Sequence, residues 1–229
     1  MSLSKRALTS AVIRIDYPES DGKPMAETDL HRQLMNELIS QLDYFFQTDP
    51  EVYVTGNIFL YYVQGDPHKR VAPDVMFVRG VEKTLRRTYK LWEEGVAPQV
   101  VFEISSRQTW GDDLQRKWSL YARLGVQEYY IFDPEYDYLD PPLLAYALKA
   151  GELQPVRVRK GRVASRTLGL ELVDTGEALR LFDPKTKRFL PTIRELDELR
   201  QQAEARARTA ESELAKLRRK VARWQKSRD

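Results

Sequence analysis

VVFEISSRQTWGDDLQRKWSLYARLGVQEYYIFDP, residues 100–134, decides the fold. It opens on a dense apolar run, Val100–Ile104, and closes on another, Glu128–Phe132, which Asp133-Pro134 stops. Between them the spacing predicts a helix over 112–124, with Leu114, Trp118, Tyr121 and Leu124 on its buried side. Gly125 stands where such a helix ends in a left-handed residue. A strand, a helix and a strand with short connections predict a parallel crossover inside a mixed sheet.

The flanking chain fits that core. Leu30, Leu34, Leu38, Leu42 and Phe45/Phe46 recur at three- and four-residue spacing, so 28–47 reads as a helix, capped by Thr28 or Asp29 and closed by Asp49-Pro50. Short β-branched and aromatic runs follow at 51–54, 58–63 and 71–78, the last broken early by Pro73. Residues 65–70 read as a loop, and 81–98 as irregular chain with a helical turn near 85–92. Further strands are expected at 143–148, 155–158, 162–165 and 168–172, as antiparallel hairpins extending the same sheet. The fold class is therefore α/β (α+β), a mixed central sheet flanked by helices. Three regions are expected: an N-terminal segment over 1–27, partly irregular; a domain over 28–190; and a helix over 191–229.

That last helix is of another kind. Ile193, Leu196, Arg200, Ala203, Ala207, Ala210, Leu214, Leu217, Val221 and Trp224 alternate at three and four, a heptad seam apolar in nine of ten places. Its narrowness favours a two-stranded coiled coil, a homodimer through 193–224, or docking on another chain, over a helix packed back on its own domain.

Composition excludes whole classes of function. The chain has 229 residues and no cysteine, which removes disulfides, thiolate zinc sites and a catalytic thiol. His31 and His68 are its two imidazoles, too few for a histidine-rich metal cluster. No apolar run approaches the ~18 residues of a membrane span, and Met1–Ser10 lacks the apolar core of a signal peptide. A cytoplasmic protein is expected. The net charge of +3 conceals an asymmetry: residues 191–229 hold 11 Lys/Arg against 7 Asp/Glu, leaving 26 against 27 in the remainder. A near-neutral body carries a basic tail.

Three features of the middle region carry chemistry. Pro73-Asp74 opens a strand, Glu103 interrupts an apolar one, and Lys117 projects from the helix that follows. A charge at position 103 costs several kcal/mol unless a partner or cation meets it. Two acids at the ends of neighbouring strands suit one hard divalent ion, and a nearby Lys suits the developing charge of a phosphoryl reaction. An internal salt bridge from Glu103 to Lys117 or Arg107 explains the same residues equally well.

Ala72-Pro73-Asp74-Val75, Val101-Phe102-Glu103-Ile104-Ser105-Ser106, Asp113-x-x-x-Lys117, Tyr121, Gly125-Val126, Glu128-Tyr129 and Asp133-Pro134 occur in that order. Together, over about Thr28 to Asp183, they resemble the Uma family of restriction endonuclease-like proteins, bacterial and cytoplasmic and similar to the PD-(D/E)xK nuclease superfamily. The resemblance implies a restriction-endonuclease-like sheet, Asp74 and Glu103 as acids binding Mg2+ (or Mn2+), and DNA as substrate. The superfamily's Lys falls two residues after the second acid, where this chain has Ser105. Lys117 is the matching replacement, with Asp113 one turn earlier to hold it. His31 matches a His common at that point in the family, and a capping or surface role fits it as well.

Arg157, Arg159, Lys160 and Arg162 crowd an expected hairpin turning at Lys160-Gly161, where they suit phosphates or simply solvent. Tyr61, Tyr62, Tyr129 and Tyr130 read as core or rim. The sequence thus points to a Mg-dependent DNA endonuclease, or alternatively to a nuclease-like DNA-binding or interaction module without turnover that dimerises through its last helix.

Overall fold

Alternation along the central strands sends apolar side chains to both faces, so the sheet must be covered twice. The computed structural model describes residues 15–20, 22 and 28–226, and the side chains of 221, 222 and 224–226 lie outside that description. The segment expected over 1–27 therefore lies largely outside the described residues.

In chain order the elements are α1 (Asp29–Phe45), β1 (Val52–Thr55), β2 (Leu60–Tyr61), β3 (Arg70–Val71), β4 (Val75–Arg79), β5 (Tyr89–Lys90) and α2 (Leu91–Glu94). Next come β6 (Val100–Ile104), α3 (Trp110–Asp112), a π-helical turn (Asp113–Lys117), α4 (Trp118–Leu124) and β7 (Glu128–Phe132). The chain ends with β8 (Leu143–Lys149), β9 (Glu152–Pro155), β10 (Arg162–Ser165), β11 (Leu170–Asp174), β12 (Leu179–Asp183), β13 (Arg188–Phe189) and α5 (Ile193–Lys226).

Six strands form the central sheet in the order β1-β4-β6-β7-β8-β9. Its one parallel pair is β6–β7, the expected crossover, and its other neighbours are antiparallel. One face packs Phe77, Phe102, Ile104 and Phe132 against Leu34, Leu38 and Leu42 of α1 and Leu170, Leu172 and Leu181 of β11 and β12. The other packs Met76, Val101, Tyr129 and Ile131 against Leu120 and Tyr121 of α4 and Leu60, Val71 and Tyr89 of the small β3-β2-β5 sheet. Tyr61, Tyr129 and Tyr130 are buried and Tyr62 is half-buried, in keeping with core and rim positions.

Two expectations need correcting. The strand expected over 155–158 lies earlier, as β9 at Glu152–Pro155 paired with β8. The strands after 160 do not extend the central sheet; β10–β13 form a separate four-stranded antiparallel sheet that covers α1 and one sheet face. The cause is local. Lys160 and Gly161 both adopt positive φ, and a Cβ on Gly161 would lie 2.8 Å from the Asp174 carbonyl oxygen. The turn folds the chain back on itself for one bridge only, Arg159 with Arg162, and β10 takes its ladder from β11 instead.

Helix α5 starts on a reciprocal cap: Glu195 N–H donates to Thr192 Oγ1 (3.2 Å) and Thr192 N–H donates to Glu195 Oε2 (2.8 Å). The helix then leaves the body. Every residue from 197 to 220 is exposed, so the described seam residues beyond Leu196 do not pack back on their own chain. No described helix is long and apolar enough to cross a membrane.

Candidate active site

Strands β4 and β6 pair with Val75 opposite Phe102, and continuing that register sets Asp74 opposite Glu103. Both acids fall on the sheet face covered by α4, because Met76 and Val101, two residues away on each strand, belong to that core. Pro73 explains why the strand begins only at Val75. Its carbonyl accepts instead from Asn57 N–H (2.8 Å), in a turn where Asn57 has φ +57°. Gly56 presses against the same backbone: a Cβ there would lie 1.8 Å from the Asp74 carbonyl oxygen.

Each carboxylate is tied down. Asp74 Oδ2 accepts from Ile104 N–H at 2.7 Å, and its Oδ1 lies 3.3 Å from His31 Nε2 in the first turn of α1. Glu103 is 1% exposed. Its Oε2 accepts from Lys117 Nζ at 2.8 Å and its Oε1 from the Tyr121 hydroxyl at 2.6 Å. Lys117 Nζ also lies 2.9 Å from Asp113 Oδ1, while Asp113 Oδ2 accepts from Ser105 Oγ at 3.0 Å. Tyr129 donates its hydroxyl proton to the Asp113 carbonyl at 3.0 Å, and Tyr138 does the same to the Ser105 carbonyl.

The structure therefore brings together Asp74, Glu103, Lys117, Asp113, Ser105 and His31. Asp113, Lys117 and Tyr121 follow at steps of four, and the π turn that contains the first two sets this strip over Glu103. Arg107, the other partner considered for Glu103, pairs with Asp137 instead.

Charge is unbalanced here. Three carboxylates surround one ammonium, and burial pushes the Glu103 carboxyl up to about 8 despite Lys117, with Asp74 and Asp113 adding to the rise. Burial alone would lower the Lys117 ammonium, but Glu103, Asp113 and Asp74 together hold it above its ordinary value. Burial raises Tyr121 and Tyr129 well above the usual phenol, so both stay neutral donors. Among the described residues no group of three or more His, Asp or Glu side chains is arranged to hold a metal. An ion shared by Asp74 and Glu103 needs water or substrate oxygens to complete its shell.

A cleft of about 380 Å³ opens beside the acids, lined among others by His31, Asn57, Asp74, Ser106, Gln108 and Thr109. Asp74 reaches it; Glu103 and Lys117 lie behind. The floor of the adjoining loop is fixed by Asp133, fully buried, whose carboxylate accepts from the backbone N–H groups of Glu135, Tyr136, Asp137, Tyr138 and Leu139 at 2.9–3.1 Å.

Arg157, Arg159 and Arg162 are not part of this cluster. With Arg166 and Glu171 they line a separate groove of about 390 Å³, and Lys160 sits at the turn beside it. Arg162 is engaged by Glu171 at 2.6 Å and lies over the Phe182 ring. The turn is nevertheless joined to the cleft's own loop: Asp174 N–H donates to the Gly161 carbonyl (2.7 Å), and Tyr136 O–H donates to Asp174 Oδ1 (2.7 Å). Sequence reasoning missed Gly56 and Tyr138, whose local sequences carry no signal of what they touch. It left Tyr121 in the core, although its spacing of four from Lys117 marks the shared strip.

Comparison with known proteins completes the assignment. Curated proteins gave no match. A solved structure described as a "putative nuclease belonging to DUF820", from Anabaena variabilis, is similar at 15% identity and TM-score 0.47, over 64% of this chain and 76% of that one. The sequence profile of the Uma2 family, described as "Putative restriction endonuclease", matches residues 7–176, beginning upstream of the motifs quoted above. By that match across most of its length, the chain belongs to the Uma2 family.

Proposed function

We propose that this chain is a divalent-metal-dependent DNA endonuclease of the cytoplasm that hydrolyses phosphodiester bonds with Asp74, Glu103 and Lys117. The observation that carries the reading is the meeting of two acids across antiparallel strand ends with an ammonium delivered from the helix behind them. The donor set suits a hard cation: carboxylate oxygens, and negative charge that Lys117 alone does not balance. Asp74 and Glu103 would hold the ion, and Mg2+ or Mn2+ there would supply polarisation of the phosphate and a more acidic bound water. Lys117 keeps its proton at neutral pH and offers positive charge to the phosphate oxygens. Asp113 fixes its direction and helps to keep it charged, and Ser105 holds Asp113 in turn. The polar wall of Asn57, Ser106, Gln108 and Thr109, with the opposite charges of Arg107 and Glu135, lets a polyanion approach, and Arg157, Arg159, Lys160 and Arg162 take its flanking phosphates.

On this reading residues 28–190 are the nuclease domain and 191–229 a dimerising helix, whose exposed Leu214 and Leu217 are covered by a second copy. The experiment is cleavage of supercoiled plasmid with Mg2+ or Mn2+. Asp74→Ala and Glu103→Ala should each abolish cleavage while circular dichroism shows a retained fold. Wild-type cutting by both variants would refute the assignment.

One observation favours a second reading. Both Glu103 oxygens are already engaged, by Lys117 and Tyr121, in a buried network that satisfies itself. A nuclease-like module that binds DNA without turnover would look the same. It predicts metal-independent DNA binding and no cleavage under any divalent ion.

A further inference from the structure

Residues 197–220 of α5 are exposed, and the charge along the helix bears on what would cover its seam. Residues 193–205 carry Arg194 and Arg200 against Glu195, Asp197, Glu198 and Glu204; residues 214–226 carry Lys216, Arg218, Arg219, Lys220, Arg223 and Lys226 and no acid. None of the described ion pairs involves Lys216, Arg218, Arg219 or Lys220. The proximal third is acidic and the distal third is a basic block.

We infer that two copies pair through α5 in antiparallel orientation, in the register that sets Ala203 opposite Leu214 of the second copy. This rests on the dimer reading above and adds its direction. Three features separate it from a parallel pair. Antiparallel pairing lays the basic block of each helix along the acidic third of the other, whereas a parallel pair would set six cations beside six. Flanking positions agree: Asp197 meets Arg218 and Arg206 meets Glu213, against one unfavourable meeting of Glu204 with Glu211. Core volumes agree as well. The layers become Ile193–Trp224, Leu196–Val221, Arg200–Leu217, Ala203–Leu214 and Ala207–Ala210, so most layers hold at least one large side chain. A parallel register would stack three all-alanine layers and set Arg200 against its own copy in the core. Here Arg200 keeps Asp197 (2.8 Å) and Glu204 (3.9 Å) on its own helix. The two bodies then lie at opposite ends of a rod about 46 Å long, at 1.5 Å per residue.

The chain has no cysteine, so an introduced thiol reports without interference. Full-length Ala203→Cys and Leu214→Cys are oxidised separately and as an equimolar mixture. Antiparallel pairing places like positions 11 residues apart, about 16 Å along the axis, far beyond disulfide reach. A covalent dimer should therefore form only in the mixture. Disulfide dimers in each variant alone would mean parallel pairing and overturn the inference. A sedimenting dimer that never cross-links would overturn the register. A full-length monomer at tens of micromolar would overturn the dimer itself, with no bearing on the cleavage assay. Should Leu214→Cys weaken the seam, a spin label at Arg219→Cys, outside the seam, gives a second measure. Antiparallel copies put the two labels more than ~30 Å apart, and parallel ones about 20 Å, roughly two helix diameters.

Discussion

Replacing Gly56 with alanine tests the site through its backbone rather than its chemistry. Gly56 does not occupy the left-handed region, so alanine meets no conformational penalty there and the effect comes from space alone. The added Cβ would lie 1.8 Å from the Asp74 carbonyl oxygen, 2.9 Å from its carbon and 3.0 Å from Ile39 Cδ1. Restoring a 3.0 Å contact requires the Asp74 backbone to move by about 1.2 Å, the difference of those distances. The Ile104 N–H bond to Asp74, now 2.7 Å, cannot survive such a shift at hydrogen-bonding length. Overpacking of this kind costs about 1–3 kcal/mol, which lowers the melting temperature by roughly 2–12 °C in a domain of this size. A misplacement near 1 Å also costs on the order of 100-fold in kcat. Thermal denaturation and plasmid cleavage with Mn2+ read the two effects separately. Gly56→Ala with wild-type melting and wild-type kcat would refute the claim that this glycine holds Asp74 in place.

Three further outcomes follow from the same network and its surroundings. Lys117→Met leaves Glu103 and Asp113 buried without their cation and should cost about 3–5 kcal/mol in urea denaturation, while adding Glu103→Gln should recover part of it; a double variant no more stable than the single would count against a coupled pair. Asp133→Asn should destabilise by about 3 kcal/mol at neutral pH, since a charged acceptor of five amides is removed. Burial opposes ionisation of Asp133, but the Tyr138, Leu139, Glu135 and Asp137 amides outweigh it and hold its pKa below the unfolded value; the stabilisation is thus full above about pH 4 and vanishes as pH falls through the folded pKa, so a gap unchanged at pH 2 would contradict the sign. Arg157→Glu with Arg159→Glu should weaken DNA binding measured by fluorescence anisotropy and flatten its dependence on log salt by about one unit for each phosphate no longer neutralised; an unchanged slope would remove these residues from the interface.

Much of this structure is legible in the chain because local and global preferences agree. Val100–Ile104 and Glu128–Phe132 are dense, β-rich and bounded by turn residues, and both strands have the expected limits. Pro73 divides the expected strand 71–78 into β3 and β4, and the residue after it is the acid that faces Glu103. Strands β12 and β13 were not legible: Leu179–Asp183 gains its register from β11, and Arg188–Phe189, two residues long, gains its own from β12. Nor was the π turn, because a single extra residue in a helical turn leaves no mark on apolar periodicity. At the site, residue types indicated the acids and the Lys. Packing decides the rest: the four-residue spacing sets Asp113 beside Lys117, but that Asp113 also meets Ser105 depends on how the helix docks, which no spacing encodes.

Ser105 stands one residue beyond β6, where the sequence resemblance would put a lysine, and the ammonium beside Glu103 comes from a helical turn 14 residues later. That displacement bears on when during folding the site exists. Strands β4 and β6 can bring Asp74 to Glu103 by pairing alone, whereas Lys117 arrives only after the crossover helix has docked on Tyr129 and Glu103. Under the proposed role of Lys117, a chain whose crossover helix is undocked holds the acids without the cation and would not cleave, so the site depends on packing and not on strand pairing alone.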